Sequence, residues 1–231
     1  MAEQLVLELA PAEPPSFANF LVGSNSEAVD TLRQLSEGTL CETGVAIWGA
    51  NGAGKSHLLY ATTEAAKVRS RSALLIAEPQ RLGNFDSEEV ARTEVVAIDN
   101  IDAADADTQA RLFTLYNAVR AAGHHLLFAS SVPPARLNAR DDLRTRLGWG
   151  LVYEILPLDD DAKPAALTAY ARQRGFSLSV DVVSYLLVHG RRDMTTLLAT
   201  LAALDRHSLA TQRPVTVPLL RTWLQRDHEG A

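Results

Sequence analysis

Gly49-Ala50-Asn51-Gly52-Ala53-Gly54-Lys55-Ser56 stands between a short apolar run, Gly44 to Trp48, and a stretch, Ser56 to Arg69, that contains neither proline nor glycine. The eight residues satisfy G-x-x-x-x-G-K-[ST], and their flanks read as the strand before and the helix after that give the pattern its physical sense. Glycines let consecutive backbone N–H groups curl around phosphate oxygens, and the helix N-terminus adds partial positive charge. Lys55 can reach the β and γ phosphates, and Ser56 can coordinate magnesium. The residues expected to hold a nucleotide are Gly49, Ala50, Asn51, Gly52, Ala53, Gly54, Lys55, Ser56 and His57. The cofactors implied are ATP or ADP, with Mg2+.

Outward from this loop, further apolar runs suited to strands are Ala73 to Ala77, Val95 to Ile98, Leu126 to Ala129 and Leu151 to Ile155. Helical patterns such as Thr108 to Arg120 separate them, and strands alternating with helices imply a parallel sheet covered on both faces. After Pro157 the strand patterns stop. Asp159 to Arg174, Val180 to Val188, Met194 to Ala210 and Pro218 to Arg226 read as helices. Met194, Leu197, Leu198, Leu201 and Leu204 recur at spacings of three and four, the stripe of a helix packed on a core. Ala10-Pro11-Ala12-Glu13-Pro14-Pro15 is too proline-rich to continue helix or sheet and reads as a linker. The expected organisation is a peptide and linker at 1–15, an α/β nucleotide-binding domain at 16–156 and a small helical lid at 157–231.

Val95-Val96-Ala97-Ile98-Asp99 is an apolar strand ending in a carboxylate, which places Asp99 where a magnesium ion beside the phosphates would meet it. An active ATPase usually carries a second acid next, to polarise the attacking water. Here the residue is Asn100, and an amide cannot accept that proton. Weak intrinsic ATPase activity at most is the expectation. Ser130-Ser131 closes the strand Leu126 to Ala129 at the edge where ligands of open α/β sheets bind. Two roles stay open for the pair: contact with the γ-phosphate or a water, or hydrogen bonds to nearby backbone before Pro133-Pro134. Arg140, Arg144 and Arg146 lie in a polar, helical stretch that breaks at Gly148-Trp149-Gly150. Arginines there match a helix C-terminus, and an exposed guanidinium is also able to stabilise a phosphoryl group in another molecule. Arg192, just before the last long helix, is unhelpful to that helix and would suit a nearby phosphate. Gln4-Leu5-Val6-Leu7-Glu8-Leu9 puts Leu5, Leu7 and Leu9 on one side if extended, fit either for an edge strand or for a partner's cleft.

The 231 residues are 47% hydrophobic, enough for a sizeable core. The net charge of −6 gives no general attraction to the nucleic-acid backbone. One cysteine, Cys41, cannot form an internal disulfide, and Met1 to Leu9 lack the charge and length of a signal peptide or membrane span. A soluble, cytoplasmic protein with no membrane partner is expected. Scattered histidines and the pair His124-His125 show no metal-ligand spacing.

Together these segments resemble the AAA+ domain of the bacterial replication initiator DnaA and, most closely, its shorter relatives of the Hda type. Ser16-Phe17-Ala18-Asn19-Phe20-Leu21-Val22-Gly23 looks like the segment that frames the adenine base in that family. Ile98-Asp99-Asn100-Ile101-Asp102, Arg146-Leu147-Gly148-Trp149-Gly150 and Leu204 to Arg213 are similar to Hda segments in order and spacing. The resemblance implies base contacts from Phe20, Leu21 and Val22, an arginine finger at Arg146 acting in trans, and a nucleotide sensor at Arg192. It implies a clamp-binding peptide built from Gln4, Leu5, Leu7 and Leu9. The implied function is negative regulation of replication initiation: a protein tethered to the β sliding clamp of DNA polymerase III stimulates ATP hydrolysis by DnaA, converting it to inactive ADP-DnaA. Partners are then DnaA and the clamp on DNA, with nucleoid association through the clamp and a homo-oligomer left open. Ser131 stands where relatives commonly have Asp, Lys55 completes a loop that some relatives have lost, and Glu8 puts a charge inside the clamp peptide. No basic helix-turn-helix region follows Glu229-Gly230-Ala231, so direct sequence-specific DNA binding is not expected. Alternative readings are a stand-alone AAA+ ATPase or motor, or a DnaA-like adaptor tethered to DNA.

Overall fold

The protein's structure, a computed structural model, describes residues 14–190, 194–211 and 214–229. It divides into two units, residues 15–157 and the residues from Leu158 onward. In the first unit five parallel strands, β1 (Gly44–Trp48), β2 (Ala73–Ile76), β3 (Val95–Ile98), β4 (His125–Ser130) and β5 (Leu151–Glu154), lie in the order β2-β3-β4-β1-β5. Helices α1 (Ser26–Glu37), α2 (Lys55–Val68), α3 (Ser87–Arg92), α4 (Ala106–Ala121) and α5 (Asp141–Leu147) complete it. The expected parallel α/β architecture is present. Strand residues alternate between two cores, as the pleat requires. Val45, Ile47, Val95, Ala97, Leu127 and Ala129 pack with Val29, Leu32 and Leu35 of α1 and with Leu58, Leu59 and Ala66 of α2. Ala46, Val96, Ile98, Leu126 and Phe128 face Leu112, Leu115 and Tyr116 of α4 and Leu143 and Leu147 of α5.

Helix α1 is an element not expected above, although Val29, Leu32 and Leu35 are all buried on it. Asn25 before it ties the start of α1 to the exit of β5. Its side-chain Nδ2 donates to Leu156 O at 2.9 Å, and Leu156 N donates to its Oδ1 at 2.8 Å. A buried amide satisfied on both atoms in this way acts as a short piece of ladder.

The strand order sets up the site. The chain leaves β1 through α2 toward β2 on one side, and leaves β4 through α5 toward β5 on the other. The adjacent carboxyl ends of β1 and β4 therefore flank the place where strand order reverses, where open α/β sheets bind ligands.

The second unit consists of α6 (Lys163–Gln173), α7 (Val180–His189), α8 (Met194–Thr211) and α9 (Val217–Glu229) among the described residues. Its core joins Leu167, Val182, Val183, Leu186, Leu197, Leu201, Leu204 and Leu220, with Met194 and Leu198 packed against it, so the α8 stripe is core. Helix α6 begins at Lys163 rather than at Asp159, with Pro164 in its first turn. Among the described residues no helix is long and apolar enough to cross a membrane.

Candidate nucleotide site and arginine face

The glycine loop joins β1 to α2, and two of its glycines are required for separate reasons. A Cβ on Gly49 would lie 2.4 Å from the Ile155 carbonyl oxygen, because the chain leaving β5 passes against it. Gly54 has φ +98°, and a Cβ there would lie 2.7 Å from Cε2 of Phe20. Gly54 is also the N-cap of α2 and has no side chain to accept from the first-turn N–H groups. Those donors face the loop without a side-chain competitor, which suits an anion.

Lys55 is only 7% exposed, and its Nζ donates to Gly49 O at 2.7 Å and to Ala50 O at 3.0 Å. Burial holds its pKa below the usual lysine value, while the nearby carboxylates of Asp99 and Asp102 favour the charged form. The cation thus rests folded over its own loop. Ser56 is exposed in the first turn of α2, and Ala53 is buried beneath the loop. A glycine cradle, an uncapped helix N-terminus and a lysine aimed across the loop fit a nucleoside di- or triphosphate with Mg2+.

The segment expected to frame the base does lie against this loop. The ring of Phe20 meets Gly54 and stands 5.3 Å from the His57 ring. His57 Nε2–H donates to Ser16 O at 2.9 Å, and burial lowers the imidazole pKa against the pull of that hydrogen bond. Phe20 and Val22 pack on the core under the loop, whereas Leu21 is 40% exposed.

Asp99 follows directly on β3, 6% exposed, and accepts from the Asn100 N–H at 2.9 Å. Asn100 sits in the left-handed region, φ 52° and ψ 41°, and its Nδ2 donates to Ala77 O at 3.4 Å. Ser130, the last residue of β4, and Ser131, the next, separate in role. Ser130 Oγ donates to Val132 O at 2.6 Å, the local backbone bond. Ser131 instead grips Asp102: its N–H donates to Oδ1 at 3.1 Å and its hydroxyl to Oδ2 at 2.8 Å. Asp102, quoted above only as part of a motif, is the site residue that sequence reading passed over, since its partner lies 29 residues away.

Arg146 is half-buried rather than free. Its guanidinium lies 4.0 Å from the centroid of Phe113 on α4 and 5.4 Å from that of Trp149. Nε donates to Asn117 Oδ1 at 2.9 Å, and Nη1 to Asp142 O at 3.2 Å. Phe113 and Asn117 are one helical turn apart on α4, so one face of that helix holds the arginine. The neighbouring arginines are neutralised: Arg140 pairs with Asp142 and Arg144 with Asp141. Arg146 forms no ion pair among the described residues and remains an available cation oriented by two rings. Arg192 and the peptide residues Gln4, Leu5, Leu7 and Leu9 lie outside the described residues.

Residues 160–224 match the family of the Hda lid domain. Domain III of the DnaA replication initiation protein from Thermotoga maritima is similar in fold: TM-score 0.81, 19% identity, covering 94% of this chain and 98% of that one. DnaA from Aquifex aeolicus bound to AMPPCP gives a TM-score of 0.73 at 21% identity, over 84% of this chain. A replication initiator DnaA bound to AMPPCP and single-stranded DNA gives 0.73 at 21% identity, over 83% of this chain. This chain spans 65% and 64% of the lengths of those last two proteins.

Proposed function

We propose, from the match of residues 160–224 to the Hda lid domain and from the likeness in fold to DnaA, that this chain is a DnaA-related AAA+ regulator that lowers the ATP-bound fraction of DnaA. In this reading Gln4, Leu5, Leu7 and Leu9 tether it to the sliding clamp, and the Ala10 to Pro15 linker lets the AAA+ unit reach a neighbouring DnaA. Arg146 then faces the terminal phosphate of the DnaA nucleotide. A fixed guanidinium there stabilises negative charge developing on the transferred phosphoryl oxygens, in a site where water no longer screens it.

The single observation that carries the reading is the state of Arg146. Among the described residues it has no carboxylate partner in an ion pair; it is held in orientation by Phe113, Trp149 and Asn117, between two arginines that are paired. A merely solvated surface cation has no need of such a mount. The nucleotide of this chain, held by the loop from Gly49 to Ser56 and by Phe20, supplies phosphate charge that organises the loop, while Asn100 keeps its hydrolysis slow.

The complete phosphate loop with Lys55 and Asp99 also supports a second reading, a stand-alone ATPase. Phosphate release measured with the purified chain alone, and then with ATP-loaded DnaA and clamp on DNA, separates the two. The regulator gives little release alone and fast release in the mixture. Equal turnover with and without DnaA would establish the ATPase instead.

A further inference from the structure

Trp149 stands 55% exposed in the turn between α5 and β5. A lone exposed apolar side chain is ordinary on a protein surface. This one is not alone. Arg120, exposed in the last turn of α4, holds its guanidinium 5.1 Å from the centroid of the indole, and Arg146 lies 5.4 Å from the same ring. The carboxyl end of α4 favours a basic residue at 120, but it does not require that residue to lie over the ring that also meets Arg146. Burial raises the pKa of the buried Tyr116 phenol, and the charges of Arg120 and Arg146 both pull against it, so the two cations stand close together. Among the described residues neither arginine meets a carboxylate in an ion pair; Asp142, whose charge Arg146 does feel, is engaged by Arg140. Three residues beyond the indole, Val152 is 40% exposed on β5, the outer strand of the sheet.

Two like charges gathered on one ring repel, and a partner that brings carboxylates to them relieves that cost while covering the indole. A nucleic-acid strand fits less well. It would stack a base on the aromatic face, where two guanidiniums already lie, and the chain as a whole carries a net charge of −6. Tryptophan and arginine are also the side chains that most often anchor a protein interface. We propose that Trp149 and Arg120 form the anchor at which an acidic protein face docks beside Arg146, and that this face belongs to the DnaA subunit whose nucleotide Arg146 meets. The inference rests on the regulator reading above and divides its labour: Arg146 acts on the rate of hydrolysis, and Arg120 with Trp149 sets the affinity between the two proteins.

The test is interferometric binding of the full chain and its variants to immobilised DnaA loaded with a non-hydrolysable ATP analogue, together with single-turnover phosphate release from ATP-loaded DnaA on clamp-loaded DNA. Trp149→Ala and Arg120→Glu should each weaken binding about tenfold or more, and Arg120→Lys should stay within about threefold. Wild-type binding should weaken with added salt, and that of Arg120→Glu less steeply. At saturating concentration Arg120→Glu should still reach the wild-type rate of phosphate release, since Phe113 and Asn117 continue to hold Arg146. ADP affinity within about twofold of wild type shows that each variant is folded. Wild-type affinity for DnaA in both Trp149→Ala and Arg120→Glu would overturn the proposal. So would a lowered maximal rate with unchanged affinity in Arg120→Glu, or tight binding of single-stranded DNA by the wild type that Trp149→Ala loses. If the wild-type chain neither bound DnaA nor stimulated it, the regulator reading itself would fall instead.

Discussion

Replacing Asn100 by glutamate perturbs the backbone and the chemistry at once, and the two effects can be separated. Asn100 occupies φ 52° and ψ 41°, a conformation that costs an ordinary L-residue about 1–2 kcal/mol and an asparagine less. The Nδ2 bond to Ala77 O, at 3.4 Å and exposed, adds little to that difference. Asn100→Glu and Asn100→Gln should therefore both lose about 1 kcal/mol in urea unfolding, and Asn100→Gly should stay within roughly 0.5 kcal/mol of wild type, since glycine accepts the φ but loosens the unfolded chain. Only the glutamate restores a proton acceptor next to Asp99. A positioned general base is worth about 10² to 10⁴ in rate, so Asn100→Glu should raise ATP turnover of the chain alone at least about tenfold, and Asn100→Gln should not. Equal turnover by the two variants would refute the argument that the missing acid limits hydrolysis. Wild-type stability in both would refute the backbone argument.

Lys55→Ala removes the point charge folded over Gly49 and Ala50, and should weaken ADP and ATP binding strongly in calorimetry, with unchanged affinity contradicting the site. Gly54→Ala meets both an unfavourable φ of +98° and the Phe20 ring, and should destabilise the protein by roughly 1–3 kcal/mol on thermal or urea unfolding. Adding Phe20→Ala to it should recover the steric part only, and full recovery would show that backbone strain is absent. Alanine at both Gln4 and Leu5 should abolish binding to immobilised clamp while leaving nucleotide affinity intact; retained clamp binding would return these residues to an edge-strand role.

The parts legible in sequence were those whose information is local. The loop from Gly49 to Ser56 carries its own flanks, and the strands β1 and β3 coincide with apolar runs because a strand buried on both faces is uniformly apolar. Helix α1 has a weaker trace: Val29, Leu32 and Leu35 mark its buried face, but Thr31 and Ser36 are buried with them and break up the apolar stripe. Lys163, not Asp159, starts α6, because the residues from Asp159 to Ala162 form a turn in front of Pro164. The side-chain pairs that define the site were not legible. Asp102 and Ser131 are 29 residues apart, as are Asn117 and Arg146, and neither pair leaves a periodic trace. Phe113 and Asn117 read as two ordinary positions of α4 until the fold brings α5 over them.

The central claim is that Arg146 acts on the nucleotide of a neighbouring DnaA. Its rings and hydrogen bonds make its removal cost more than that of a solvated arginine: stacking on Phe113 and Trp149 is worth roughly 1–2 kcal/mol when partly desolvated. Arg146→Ala must therefore be verified as folded and clamp-bound before its activity is read. The decisive measurement is single-turnover phosphate release from ATP-loaded DnaA on clamp-loaded DNA, with wild type, Arg146→Ala, Arg146→Lys and Arg144→Ala. Arg146→Ala is expected to lose stimulation by at least about a hundredfold, Arg146→Lys nearly as much because the planar fork is gone, and Arg144→Ala almost none because that arginine is committed to Asp141. Stimulation by Arg146→Ala equal to wild type would contradict the account.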